Sequence, residues 1–198
     1  MLTDDEKTKV LDITKKVFHR LGLENMTMSD VARESQIPEP RLKKEYHDKD
    51  TLIKALMSKG IDDVTSILEK SIGSRGKADV KISRFVKSLL SDYEIHAPLF
   101  KLVSINHETL DKECLLLRNL LGQEQIDRYR KNTVILGRLI AEGQSEGIFR
   151  KADPLECAYY LRGLINSAVR YWQVTRQEGN LEEFADRVMR MFLTGVYK

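Results

Sequence analysis

The chain has 198 residues, 32% of them charged and 41% hydrophobic, which is the balance of a water-soluble protein with room for a real apolar core. Its net charge of +3 is too small to make nucleic-acid binding a matter of bulk electrostatics. No run of about 18 apolar residues offers a membrane span and the opening MLTDDEKTKV lacks the apolar centre of a secretory signal, so the expectation is a cytoplasmic chain with no membrane partner.

Apolar residues recur with helical spacing from end to end and nothing alternates for long with a period of two, so the fold class expected is all-α, with about nine helices. The first helix is expected over Thr3 to Leu21. Thr3 caps it, Asp4, Asp5 and Glu6 suit its positive end, Val10, Ile13, Val17 and Leu21 form its inner stripe, and Gly22 ends it. A second helix opens at Thr27 to Ser29 and must stop near Pro38. A third starts at Glu39 and Pro40, turning Leu42 and Tyr46 inward and Arg41, Lys43 and Lys44 outward. Two short helices about a turn of roughly four residues make a helix-turn-helix, the geometry that lays the second helix in a DNA major groove. The same pair also occurs as a plain packing unit in helical proteins, and spacing alone leaves both readings open. Charge does not decide either, because the nine cations up to His47 are cancelled by nine carboxylates.

Asp48 is expected to cap a long helix from Lys49 to Ile72, followed by the linker-like Gly73 to Lys77. Further helices are expected over Ala78 to His96, Pro98 to Glu108, and Asp111 to Glu146 with a bend at Gly122. The last two run from Asp153-Pro154 to Gln177 and from Leu181 to Tyr197. The chain thus divides into a helix-turn-helix domain (1–48), a connecting helix (49–72) and a helical C-terminal domain (73–198). Cys114 and Cys157 lie far apart without CxxC spacing, which fits buried thiols better than a disulfide.

Enzyme signatures are thin: the histidines make no HExxH or ExxH pattern, and there is no GxxxxGK[ST], GxGxxG or GxSxG. No cofactor is expected. Glu94, His96, His107 and Glu108 would make a metal site only by a chance meeting of neighbouring helices.

The run from Val10 to Leu56 resembles the N-terminal domain of the TetR family of bacterial transcriptional regulators. The residues that carry the resemblance are Val10, Leu11, Val17 and Phe18, then Gly22, Thr27-Met28-Ser29-Asp30-Val31-Ala32, Ile37, Leu42 and Tyr46, and Lys49-Asp50 with Leu52. A second stretch, LIAEGQSEGIFRKADPLECAYYLRGLINSAVRYW, is similar to a recurring pattern of the same family. The chain departs from the family at Gln36, Pro38, Glu39 and Pro40, where glycine, small or basic residues are usual, and at Lys43 and Glu45, where aromatics are usual. Lys43 would exchange a stacking contact for a phosphate contact, while Glu39 and Glu45 oppose a phosphate surface.

The resemblance implies a homodimer that binds a double-stranded DNA operator with inverted-repeat symmetry and is released by a small-molecule effector. Thr27, Ser29 and Lys49 would meet phosphates, Arg41, Lys43 and Lys44 would lie nearest the bases, and His47 would also touch the DNA. An effector cavity would draw on Phe85, Leu89, Tyr93, Phe100, Val103, His107, Tyr129 and Trp172, a lining suited to a flat or lipophilic ligand. The dimer interface would use Leu161, Leu164, Ile165, Ala168, Val169, Phe184, Val188, Met191 and Phe192. For the cavity residues the other reading is an ordinary core, which aromatics at helical spacing more often form; for the interface residues it is packing on the preceding helices. The alternative function is a helical ligand- or protein-binding module whose helix-turn-helix no longer binds an operator.

Overall fold

The computed structural model describes residues 1–91, 122–175 and 180–196. Among them are eight α-helices and no strand: α1 (Asp4–Asn25), α2 (Met28–Ser35), α3 (Glu39–Tyr46), α4 (Lys49–Ile72), α5 (Ala78–Ser91), α6 (Gln123–Ser145), α7 (Pro154–Thr175) and α8 (Phe184–Val196). The protein is all-α. Tyr93, Phe100, Val103, His107, Cys114, the helix expected from Pro98, and the four residues Glu94, His96, His107 and Glu108 lie outside the described residues.

Two compact units divide the chain, one holding Met1–Gly60 and the other running from Ile61 through α5 and from Glu124 through α8. The division falls inside α4, so the first turns of that helix group with the helices before it.

In the first unit the helix ends are built by side chains. Thr3 accepts a hydrogen bond from the Glu6 backbone N–H while Glu6 reaches back to the Thr3 N–H, a closed capping box. Thr27 and Asp30 repeat the arrangement at the start of α2. Gly22, at φ 75°, interrupts α1, but one further turn follows to Asn25, so the helix resumes past the residue expected to end it. Only a residue without a Cβ takes that backbone cheaply. Val10, Val17, Phe18, Val31, Leu42, Leu52 and Ile53 are all buried, and α1 packs on α2 and α2 on α3. Burying a side chain of this size contributes about 1.5–3 kcal/mol, which is what holds such short helices.

In the second unit α8 packs on α5 and α7. Asp153 caps α7 by accepting from the N–H groups of Leu155 and Glu156, with Pro154 at the first helical position as expected. The chain between α6 and α7 is fixed by Phe149, 1% exposed, whose ring lies so close to Gly143 that a Cβ there would stand 2.4 Å from it. Gln144 donates to the carbonyls of Arg150 and Ala152, and the Arg150 N–H donates to the Val196 carbonyl at 2.7 Å. The GIFR stretch is therefore a structural clasp. Residues 111–121 of the helix expected from Asp111 lie outside the described residues; at Gly122, where a bend is expected, the chain is not helical and α6 runs from Gln123. At the C-terminal end Leu181–Glu183 form a 3-10 turn because the Asn180 side chain draws in the Glu182 N–H before α8 starts at Phe184.

Candidate nucleic-acid interface

α2 and α3 form the expected pair. The turn between them is closed by Gln36, which stands in the left-handed region at φ 58°, ψ 29°, and by the Ile37 N–H bonding to the Ala32 carbonyl. Ile37 is buried beneath it. Gln36 thus adopts a backbone that glycine takes more readily. Pro38 and Pro40 start α3 without a side-chain cap, their missing N–H groups falling where a helix has none to satisfy.

Side chains on this surface are tied to one another more than sequence spacing suggests. Arg41 does not project freely: its guanidinium grips both oxygens of Glu6 at 2.9 Å each and reaches the Met1 carbonyl at 3.5 Å. On the same flank Glu45 accepts from Lys7 at 2.8 Å and from the Leu2 N–H at 3.1 Å, so it faces the start of α1. Ser29 donates its hydroxyl to Glu39, and Lys43 binds the same carboxylate at 2.6 Å, bringing three residues from α2 and α3 together. Thr27 is occupied with Asp30, its hydroxyl 2.6 Å from that carboxylate. Lys49 donates to the Leu23 carbonyl at 2.9 Å, closing the end of α1. Lys44 is exposed and has no bonded partner among the described residues, and exposed His47 stands at φ 56° where α3 ends.

The pairings shift the carboxylates. Arg41 holds the Glu6 carboxyl below its ordinary value, Lys7 does the same to Glu45, and Lys43 with Ser29 to Glu39. The Thr27 hydroxyl lowers Asp30. The ion pairs of Glu6, Glu45 and Glu39 are solvated, and their net worth is small and salt-dependent, so a phosphate can compete for Arg41, Lys7 and Lys43. Sequence reasoning missed Glu6 and Lys7, whose partners lie 35 and 38 positions away, and no local signal marks them.

In the second unit, Phe85 and Leu89 sit on the buried side of α5. Tyr129 lies under the Arg162 guanidinium, 4.0 Å from ring centroid to cation, and burial raises its hydroxyl pKa. Arg162 also donates to the hydroxyl of buried Thr133. Trp172 is half-buried on α7. Of the residues assigned to a dimer interface, Leu161, Ile165, Val169, Phe184, Val188 and Phe192 are buried within this chain, Leu164 and Ala168 are half-buried, and Met191 is 66% exposed. The exposed surface of α7 and α8 instead carries Tyr160, Tyr171 and Val174, with Gly163 and Gly195 in open space. Among the described residues there is no cluster of three metal-ligating side chains and no helix long and apolar enough to cross a membrane.

A capped helix-turn-helix packed on α1, followed by a second helical unit, defines a helix-turn-helix protein with a helical C-terminal body. The fold is that of the TetR/AcrR transcriptional regulators. A fatty acid degradation regulator, FadR, from Bacillus halodurans superposes with a TM-score of 0.73 at 16% identity, covering 98% of both chains. A TetR/AcrR family regulator from Thermobifida fusca gives 0.71 at 18% identity, over 97% of this chain and 98% of that one. FadR from Bacillus subtilis, solved with stearoyl-CoA, gives 0.71 at 19% identity, over 96% and 99%. No family model and no curated protein sequence matches the chain.

Proposed function

We propose that the protein is a dimeric, sequence-specific DNA-binding transcriptional regulator, a repressor released by a small lipophilic ligand. The observation that carries the reading is the capped helix-turn-helix with Lys43 and Lys44 exposed on α3 and His47 exposed at its end, within a chain that a TetR/AcrR regulator's structure matches over 97% of its length. Residues 1–48 act as the DNA-binding part, α4 as the connection and the remainder as the regulatory and dimerising part. Lys44 and Lys43 approach the DNA first, with Ser29 and Thr27 at the start of α2 beside a phosphate.

Dimerisation uses the outer side of α7 and α8. Tyr171 at 52%, Val174 at 72% and Met191 at 66% exposed are more apolar surface than a lone helix face leaves in water, and Gly163 and Gly195 let a second copy approach closely. A C2 pair then sets two α3 helices one turn of DNA apart. An effector acts by binding one separation of those helices better than the other. That one similar protein holds stearoyl-CoA supports a lipophilic effector, with buried Phe85 and Leu89 and Tyr129 among the residues it would meet. A second reading, a ligand- or protein-binding module without an operator, is favoured by the engagement of Arg41, Lys43 and Lys49 in internal contacts.

Retention of a randomised duplex pool separates the two readings. The regulator enriches an inverted repeat and the module enriches nothing. Sedimentation equilibrium tests the dimer: twice the chain mass of 22.9 kDa is expected, and a monomer at micromolar concentration refutes it.

A further inference from the structure

We propose that a groove in the second unit, between the end of α4, the turn that follows it and the outer side of α5, binds a small phosphorylated molecule. The groove is open to solvent on one side and offers about 620 Å3, a volume in the range of about 300–1,000 Å3 of small-ligand sites. Three cations from two elements converge on it, Lys70 from α4 and Arg84 and Lys87 from α5, against the single carboxylate of Glu182. In a chain with 33 basic and 30 acidic residues, a concavity holding three of one sign and one of the other is a local excess of two positive charges.

The cations are not consumed by internal pairing. Lys87 meets Glu182 at 3.1 Å with its side chain 63% exposed. Arg84 spends one nitrogen on the Ser74 hydroxyl at 2.8 Å and the Arg75 carbonyl, leaving other donors of its five for a ligand. Lys70 has no bonded partner among the described residues. Hydroxyls complete the lining, and that of Ser88 makes no internal bond among the described residues. Guanidinium, ammonium and hydroxyl donors around one concavity are the groups that recognise phosphate oxygens. Phe85 and Leu89 occupy the buried side of the same helix, so this site is separate from any apolar effector lining and does not depend on DNA binding.

Calorimetric titration of the full chain with ADP, inorganic phosphate and adenosine at low salt tests the assignment. ADP is expected to bind saturably at one site per chain and adenosine not at all. Phosphate alone binding as tightly as ADP identifies free phosphate as the ligand, whereas weaker binding identifies a phosphate ester. Lys70→Gln/Lys87→Gln, both exposed and checked for unchanged thermal unfolding, should raise the ADP Kd about tenfold, as loss of two nearby charges in water requires. Glu182→Gln should lower it several-fold, and Lys44→Ala in the first unit should leave it unchanged. Absence of saturable ADP binding, or binding that Lys70→Gln/Lys87→Gln does not weaken, overturns the proposal.

Discussion

Arg41 and Glu6, 35 residues apart, form a two-pronged ion pair with both contacts at 2.9 Å, so a basic residue of the candidate recognition helix is held by a carboxylate at the start of α1. The carboxylate occupies the position relative to Arg41 that a phosphate would take, since both present two coplanar oxygens to the guanidinium fork. Glu6→Gln removes that competitor. Binding to random-sequence duplex is expected to tighten several-fold at low salt, and the slope of log K against log salt should steepen by about one unit as one more phosphate contact forms. Filter binding across a salt series reads both. An unchanged slope would mean that Arg41 stays away from DNA.

Gln36 holds a left-handed backbone at φ 58° at the turn between α2 and α3. An L-residue there costs about 1–2 kcal/mol relative to its right-handed form, and glycine recovers part of this while losing some unfolded-state advantage. Gln36→Gly should therefore stabilise by about 0.5–1 kcal/mol and Gln36→Val should destabilise by at least as much. Thermal unfolding followed by circular dichroism measures both, and a Gly variant that melts lower than the parent would contradict the assigned turn.

Acid should loosen the first unit. Glu6, Glu39 and Glu45 have folded-state carboxyls lowered from an ordinary 4.5, chiefly by hydrogen bonds from Arg41, Lys43 and Lys7. A group lowered on folding contributes stability that is present above its unfolded pKa and lost as pH falls through its folded one. Melting temperature is thus expected to hold between pH 7 and 5 and to fall below about pH 4.5, with Glu6→Gln/Glu45→Gln blunting the fall. A profile identical in the double variant would show that other groups govern acid unfolding.

Gly143→Ala places a methyl 2.4 Å from the Phe149 ring and 3.0 Å from the Ala78 Cβ. Neither neighbour is a free chain end, so the cost is that of overpacking, about 1–3 kcal/mol. Urea unfolding should give a lower midpoint at the same slope. The paired variant Gly143→Ala/Phe149→Leu, which makes room, should regain part of the loss.

What was legible in the sequence was local. Thr3 with Glu6, Thr27 with Asp30, and Asp153 with Pro154 announce helix starts within four residues, and all three caps are in place. The helical period placed Leu42 and Tyr46 inside and Lys44 outside. What was not legible depends on residues brought together from a distance. Arg41 and Lys49 look like free cations in sequence, yet Glu6 and the Leu23 carbonyl hold them, and nothing in spacing announces a partner that far away. The apolar stripe of α7 reads as an interface, but Leu161, Ile165 and Val169 are taken by the chain's own core. The exposed surface of α7 includes Leu155, Tyr159, Tyr160, Gly163, Tyr171 and Val174, a set too mixed in polarity for a hydrophobic period to flag.

The central claim, that α2 and α3 read DNA, is tested most directly by sequencing the duplexes retained from a randomised pool at moderate salt, beside Lys43→Ala/Lys44→Ala. The account predicts an enriched inverted repeat whose half-sites lie about one helical turn apart, lost in the double variant. Retention without any enriched sequence, or enrichment that the variant leaves intact, would contradict it.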